Sequence, residues 1–117
     1  MRLIDEPARR HADGAAMELA ECLRSVLGDG LVTDPAARRA HSADLLGHGT
    51  TATLLVRPAS VEELTKAVAL VAGFGFAMVP RGGGLTYVSG YTSTKASFVA
   101  IDLRRMDRIV EINEQDM

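Results

Sequence analysis

The sequence predicts an α/β (α+β) fold, with a small, mainly parallel sheet flanked by helices. Three observations predict it. Residues 53–80 read as strand, helix, strand: "TLLVRP" is apolar and stops at a proline, a capped amphipathic stretch follows, and "FAMVP" is short and apolar like a buried strand. Two strands joined in this way are expected to be parallel, with a right-handed crossover. A further apolar run, "SFVAIDL" at 97–103, adds another strand after a glycine-rich loop.

Taken in order, residues 1–13 are charged, contain Pro7 and show no period, so a frayed arm is expected. From 15 to 27, Ala16, Leu19, Ala20, Leu23, Val26 and Leu27 recur at helical spacing, with Glu18, Glu21 and Arg24 on the other side. Gly28 supplies the stop, because helices often end on a left-handed residue. "LVT" at 31–33 is a short strand candidate. Asp34 can cap and Pro35 start a short helix to about Ala40. "SADLLGHGTT" reads as an irregular loop. Ser60 can cap the next helix, and Glu63 can reach back to close a capping box. Val61, Leu64, Val68, Val71 and Phe74 form its stripe, and Gly75 ends it. After 103, "RRMD" is polar enough for a turn. "RIVEIN" at 108–113 alternates, with Val110 and Ile112 on one face, and is expected to begin a strand pair.

Composition removes several function classes. At 117 residues the chain suits one small domain, and 47% hydrophobic residues argue against disorder. Only 4% are aromatic, so the core must be aliphatic. A net charge of −2 gives no electrostatic reason to propose nucleic acid as a partner. Cys22 is the sole cysteine and cannot pair internally, which suits a reducing compartment. No apolar run is long enough to span a bilayer, and "MRLIDEPARRHADG" lacks the apolar core of a signal peptide, so a cytoplasmic location is expected.

The stretch that carries chemistry is "VPRGGGLTYVSGY", residues 79–91. It leaves the carboxyl end of the strand at 76–80, and open sheets bind ligands at that end. Gly82, Gly83 and Gly84 lack Cβ, so their backbone N–H groups can close on one anion and adopt positive φ. Thr86 and Ser89 can donate further hydrogen bonds. Arg81 can offer charge or brace the loop from behind. A plain turn between two strands competes with this reading, and composition alone slightly favours it; the position of the loop and a further glycine at Gly90 pull toward a ligand site. Two common glycine motifs fail. Gly73 and Gly75 end a helix and are followed at the sixth place by Met78, against the dinucleotide fingerprint, and no Gly-Lys-Ser/Thr triplet exists for a P-loop.

Together, "RPASVEEL", "VPRGGG" and "IDLRRMDRIVEI" resemble the FAD-binding module of PCMH-type flavoproteins. This is the vanillyl-alcohol oxidase / p-cresol methylhydroxylase family, which includes D-lactate dehydrogenases and the flavoprotein component of glycolate oxidase. The resemblance covers roughly 31–117. It implies the first subdomain of that domain, cut short at its C-terminus, preceded by an arm and helix at 1–30. It also implies that Pro80, Arg81, Gly82, Gly83, Gly84, Leu85 and Thr86 line the FAD pyrophosphate, with Ser89, Gly90 and Tyr91 nearer the flavin. Many members carry a flavin-linking histidine where this chain has Leu85, so non-covalent FAD is implied here. The usual paired glycines late in the loop appear as Ser89 and Gly90. The complete enzyme would oxidise a small-molecule hydroxy acid or alcohol. No catalytic residue is assigned within this chain. A non-catalytic nucleotide- or phosphate-binding module, an inactive gene fragment, and a reductase of the UDP-N-acetylenolpyruvoylglucosamine type remain open.

Other residues read more simply. His11, His41 and His48, with Asp44, have poor spacing for a metal, and His41 and His48 are expected as surface or capping groups. Cys22 is expected as a buried or half-buried small hydrophobe. Met17, Met78 and Met106 form no stripe. The basic run 104–108, offset by Asp102 and Asp107, is expected as a solvated turn. Ser42 and Asp44 are weak candidates to approach the flavin by the same resemblance.

Overall fold

The computed structural model describes residues 5–43, 46–47, 49–85 and 97–116. The elements are α1 (Asp5–Leu27), β1 (Leu31–Val32), α2 (Pro35–Ala40), β2 (Leu54–Val56), α3 (Val61–Gly73), β3 (Ala77–Arg81) and β4 (Phe98–Asp102). One sheet forms, in the order β1-β2-β4-β3. β1 runs antiparallel to β2, while β2 and β3 each pair parallel with β4. The carboxyl ends of β2, β4 and β3 therefore share one edge of the sheet.

The local signals act largely as expected. Asp34 Oδ2 accepts from Ala37 N at 2.9 Å and starts α2, with Pro35 in its first turn. Ser60 Oγ accepts from Glu63 N at 3.2 Å. Glu63 Oε2 accepts in return from Ala59 N at 2.7 Å, one residue before the cap. Gly28 and Gly75 take positive φ, 56° and 78°, just after α1 and α3.

Several expectations need correcting. Helix α1 begins at Asp5, so 5–13 is not a frayed arm; Pro7 falls in the first helical turn, where a backbone N–H would have no partner to lose. β2 and β3 are parallel, as expected, with β4 inserted between them. β4 takes the buried centre, and β3 is a half-buried edge strand. Pro80 is tolerated there because an edge strand has N–H positions with no ladder partner. Val61, assigned to the buried stripe, lies exposed at the first position of α3. Residues 108–113 form no strand: Ile109, Val110 and Ile112 are exposed and pair with no strand among the described residues.

Alternation along the strands splits the core into two layers. On one face Leu54, Val56, Val99 and Ile101 pack with Leu19, Leu23 and Leu27 of α1 and with Ala67 and Val71 of α3. On the other, Leu55, Phe98 and Ala100 pack with Val32, Ala37 of α2, Ala77 and Val79. Each fully buried aliphatic or Phe side chain stabilises the fold by about 1.5–3 kcal/mol. Cys22 is half-buried, as expected.

Candidate functional site at the carboxyl edge of the sheet

The period of two that places Leu55, Ala100 and Val79 on the α2 face carries on to Arg57, Asp102 and Arg81. Asp102 and Arg81 end β4 and β3 and Arg57 directly follows β2, with Arg81 in register with Asp102 and Val56 in register with Ile101. A charged row thus follows directly from the apolar one, at the sheet edge where the glycine loop departs.

Asp102 is the centre of the row and is 2% exposed. It accepts from Arg57 Nε at 3.2 Å, from Arg104 Nη2 at 2.9 Å and Nε at 3.0 Å, and from the Arg104 backbone N at 3.1 Å. Burial alone pushes its carboxyl up, but the Arg104 hydrogen bonds, followed by the charges of Arg104 and His41, outweigh it and hold the group at about 2. The same hydrogen bond and charge raise the Arg104 guanidinium above its ordinary value.

His41, at the C-cap of α2, closes this row from above. Its Nδ1–H donates to Ala37 O at 2.8 Å, and its Nε2 faces Arg104 Nη2 at 2.6 Å and Arg57 Nη2 at 3.3 Å. The same Nε2 lies 3.4 Å from Asp102 Oδ2. The Ser42 hydroxyl, buried, donates to Arg38 O and accepts from Ala52 N at 2.8 Å. Ser42 thus fastens the segment after α2 to the sheet through protein groups. Two sequence expectations are revised by these contacts. His41 caps α2, as expected, but also joins an ion cluster, and Asp102, expected only to offset the basic run 104–108, is the buried core of that cluster.

The glycine loop stands on this floor. Pro80 is exposed at the end of β3. Gly82 and Gly83 are exposed, and a Cβ at either would meet nothing within 4 Å. Gly84 differs: it is buried, its φ is +82°, and a Cβ there would meet Arg81 Nη2 at 2.6 Å. Arg81 also donates from Nη1 to Ala43 O at 2.8 Å, so its side chain braces the loop from behind. Positive φ within 82–84 is needed at Gly84 alone. Leu85 is 84% exposed. Thr86, Ser89, Gly90 and Tyr91, and with them Asp44 and His48, lie outside the described residues.

The open, side-chain-free backbone at Gly82 and Gly83 fits a diphosphate, which needs close approach by N–H groups and room for its oxygens. A second concavity on the same edge, between Ala59–Glu62 and Arg105–Val110, contains none of the loop residues. There Ser60 Oγ accepts from Glu63 N in the first turn of α3, and Glu63 Oε2 accepts from Ala59 N just before the cap. Among the described residues no cluster suits a metal, and no helix is long and apolar enough to cross a membrane.

Against known proteins, residues 52–117 match the family FAD_binding_4, described as an FAD binding domain. The chain belongs to this FAD binding domain family. The match takes in β2, α3, β3, the glycine loop and β4, and so includes both the loop and most of its ionic floor. Among solved structures, an alkyldihydroxyacetonephosphate synthase superposes with a TM-score of 0.72 at 26% identity, over 86% of this chain and 23% of that one. A p-cresol methylhydroxylase with substrate bound superposes at 0.71 and 17% identity, over 86% of this chain and 20% of that one. A 4-ethylphenol oxidase from Gulosibacter chungangensis, in its isoeugenol complex, does so at 0.71 and 20%, over 87% and 21%. The last two likenesses concern fold alone. The chain thus spans about a quarter or less of the structures it matches. No curated protein matches the chain.

Sequence reasoning found the loop but missed the role of His41 and Asp102. One signal was available. Extending the strand alternation by one step puts Asp102 on the same face as Phe98 and Ala100, where a lone carboxylate requires cationic partners.

Proposed function

We propose that this chain binds FAD through the pyrophosphate at Arg81–Thr86, as the FAD-binding portion of a flavin-dependent oxidoreductase acting on a hydroxy acid or alcohol. The observation that carries this reading is the contrast within the loop. Gly82 and Gly83 present open backbone at the carboxyl edge of a parallel sheet, with nothing of the protein filling the space a side chain would take. In this reading the backbone N–H groups of Gly82 and Gly83 meet phosphate oxygens, and Thr86 and Ser89 add hydroxyl donors. Gly90 and Tyr91 lie toward the flavin, while Pro80 and Leu85 flank the cradle. The Arg81 side chain orients the loop, and its backbone contributes to the wall. FAD, when bound, supplies hydride acceptance. This chain binds and orients it, and no residue of the chain is assigned to proton transfer. Leu85 has no nucleophile, so the cofactor is held here without a covalent bond. A cytoplasmic setting belongs to the same proposal, supported by the single Cys22.

A test is to follow backbone amide resonances of Gly82–Gly84 while titrating FAD, ADP and riboflavin to millimolar levels. Pyrophosphate recognition predicts that FAD and ADP shift these resonances and riboflavin does not. If riboflavin shifts them equally, or none of the three does, the loop is not a pyrophosphate site.

A further inference from the structure

The three consecutive glycines serve two different purposes, and Arg81 divides them. A Cβ at Gly82 or Gly83 would enter open space, whereas one at Gly84 would lie 2.6 Å from Arg81 Nη2, 3.1 Å from Nε and 3.2 Å from Cζ. All three atoms belong to the planar guanidinium group, so that group lies under the Gly84 backbone in the volume a side chain would occupy. From there Nη1 donates to Ala43 O at 2.8 Å. Ala43 directly follows Ser42, which is fastened to Ala52, and His41, which is fastened to the Asp102 cluster. A hydrogen-bonded path therefore runs from the ionic row, through the segment 41–43, to the underside of the loop.

We infer that Arg81 is a positioning residue: its guanidinium, seated beneath Gly84 and tied to Ala43 O, fixes the shape of the 82–84 loop before any ligand arrives. Gly84 both takes φ +82° and admits the guanidinium, and Gly82 and Gly83 are left to meet the ligand. Lysine cannot substitute, because a single ammonium lacks the flat face that packs under a peptide plane. Only the consequence for FAD affinity rests on the proposed function; the shape of the loop can be measured without ligand.

Thermolysin cleavage at the Gly84–Leu85 bond, followed by mass spectrometry on the ligand-free chain, reads that shape, because Leu85 is exposed and cleavage tracks opening of the loop. Arg81→Ala and Arg81→Lys are expected to speed cleavage at this bond by roughly tenfold while the thermal midpoint stays near that of the parent. Guanidinium chloride at a non-denaturing concentration should slow cleavage of Arg81→Ala again, and an equal concentration of sodium chloride should not. Gly84→Ala should behave like Arg81→Ala. In the double variant guanidinium should have no effect, because the Cβ fills its seat. Unchanged cleavage in Arg81→Ala, rescue by sodium chloride, or guanidinium rescue of the double variant would each overturn the inference. Should Arg81→Ala fail to fold, Arg81→Lys decides it through the cleavage rate at the same bond, and an unchanged rate there overturns the inference. FAD titration of the parent is a separate arm. A braced loop that binds no FAD leaves the positioning role intact and refutes the proposed function.

Discussion

Two regions at the same sheet edge show opposite treatments of polar groups. Around Asp102, each charge meets several partners: two arginines, a histidine and a backbone N–H close on one buried carboxylate. A few ångströms along the register, Gly82 and Gly83 present backbone to open space. The difference shows how a binding edge can be built. The floor satisfies its own charges and so holds its shape, and the loop above it remains available to a ligand. A loop whose donors were already consumed by the protein would have none to offer, and an equally open floor would not hold the loop in place.

Breaking the floor should have the largest effect on stability. Asp102→Ala removes the shared acceptor of Arg57 and Arg104 and is expected to cost about 2–3 kcal/mol, below the usual figure for a buried pair because half-exposed Arg104 can rehydrate. Urea unfolding of the variant against the parent measures it. Acid reaches the same group more gently. The Asp102 carboxyl is held at about 2, below its value of 3.8 as a free side chain. Its contribution is therefore fully present above about pH 4 and is lost as pH falls through about 2, a loss of roughly 2 kcal/mol. Urea midpoints between pH 5 and pH 2 should fall more steeply in the parent than in Asp102→Asn; equal slopes would remove Asp102 from the acid response.

The loop should divide its glycines by stability. Gly84→Val forces a β-branched residue to φ +82° against Arg81 and is expected to cost about 2 kcal/mol. Gly83→Val meets nothing and has no positive φ to adopt, so its cost should stay within about 0.5 kcal/mol. Thermal midpoints of the two variants check the order, and equal losses would erase the distinction between them. Smallest of all is the effect of Leu85 on stability. Its role is chemical: flavin bound to the holoprotein should be released by acid precipitation, and flavin retained in the pellet would mean a covalent link.

Much of the fold was legible because its signals are local. Asp34 with Pro35, Ser60 with Glu63, and the glycines after α1 and α3 act within a turn of where they stand. What was not legible depended on neighbours distant in sequence. "FAMVP" and "SFVAIDL" look alike as apolar runs, and only the insertion of β4 between β2 and β3 decides which is central. "RIVEIN" alternates like a strand yet lies exposed, because alternation specifies a face and not a partner. At the site, the loop was found from its composition and its place after a strand. The bond from Arg81 to Ala43 spans 38 positions and that from Arg104 to His41 spans 63, and no local pattern announces either. The same limit applies to the positive φ allowed at Gly82, Gly83 and Gly84, which only Gly84 takes.

The measurement that bears most directly on the site is FAD titration of Gly83→Val beside the parent, reading the amide resonances of Gly82 and Gly84 together with the thermal midpoint of each protein. If the open backbone is there to meet a pyrophosphate, the parent's resonances shift with FAD and those of Gly83→Val do not, while the two midpoints agree. Equal FAD-induced shifts in both proteins would contradict this and leave the glycine run as only a turn.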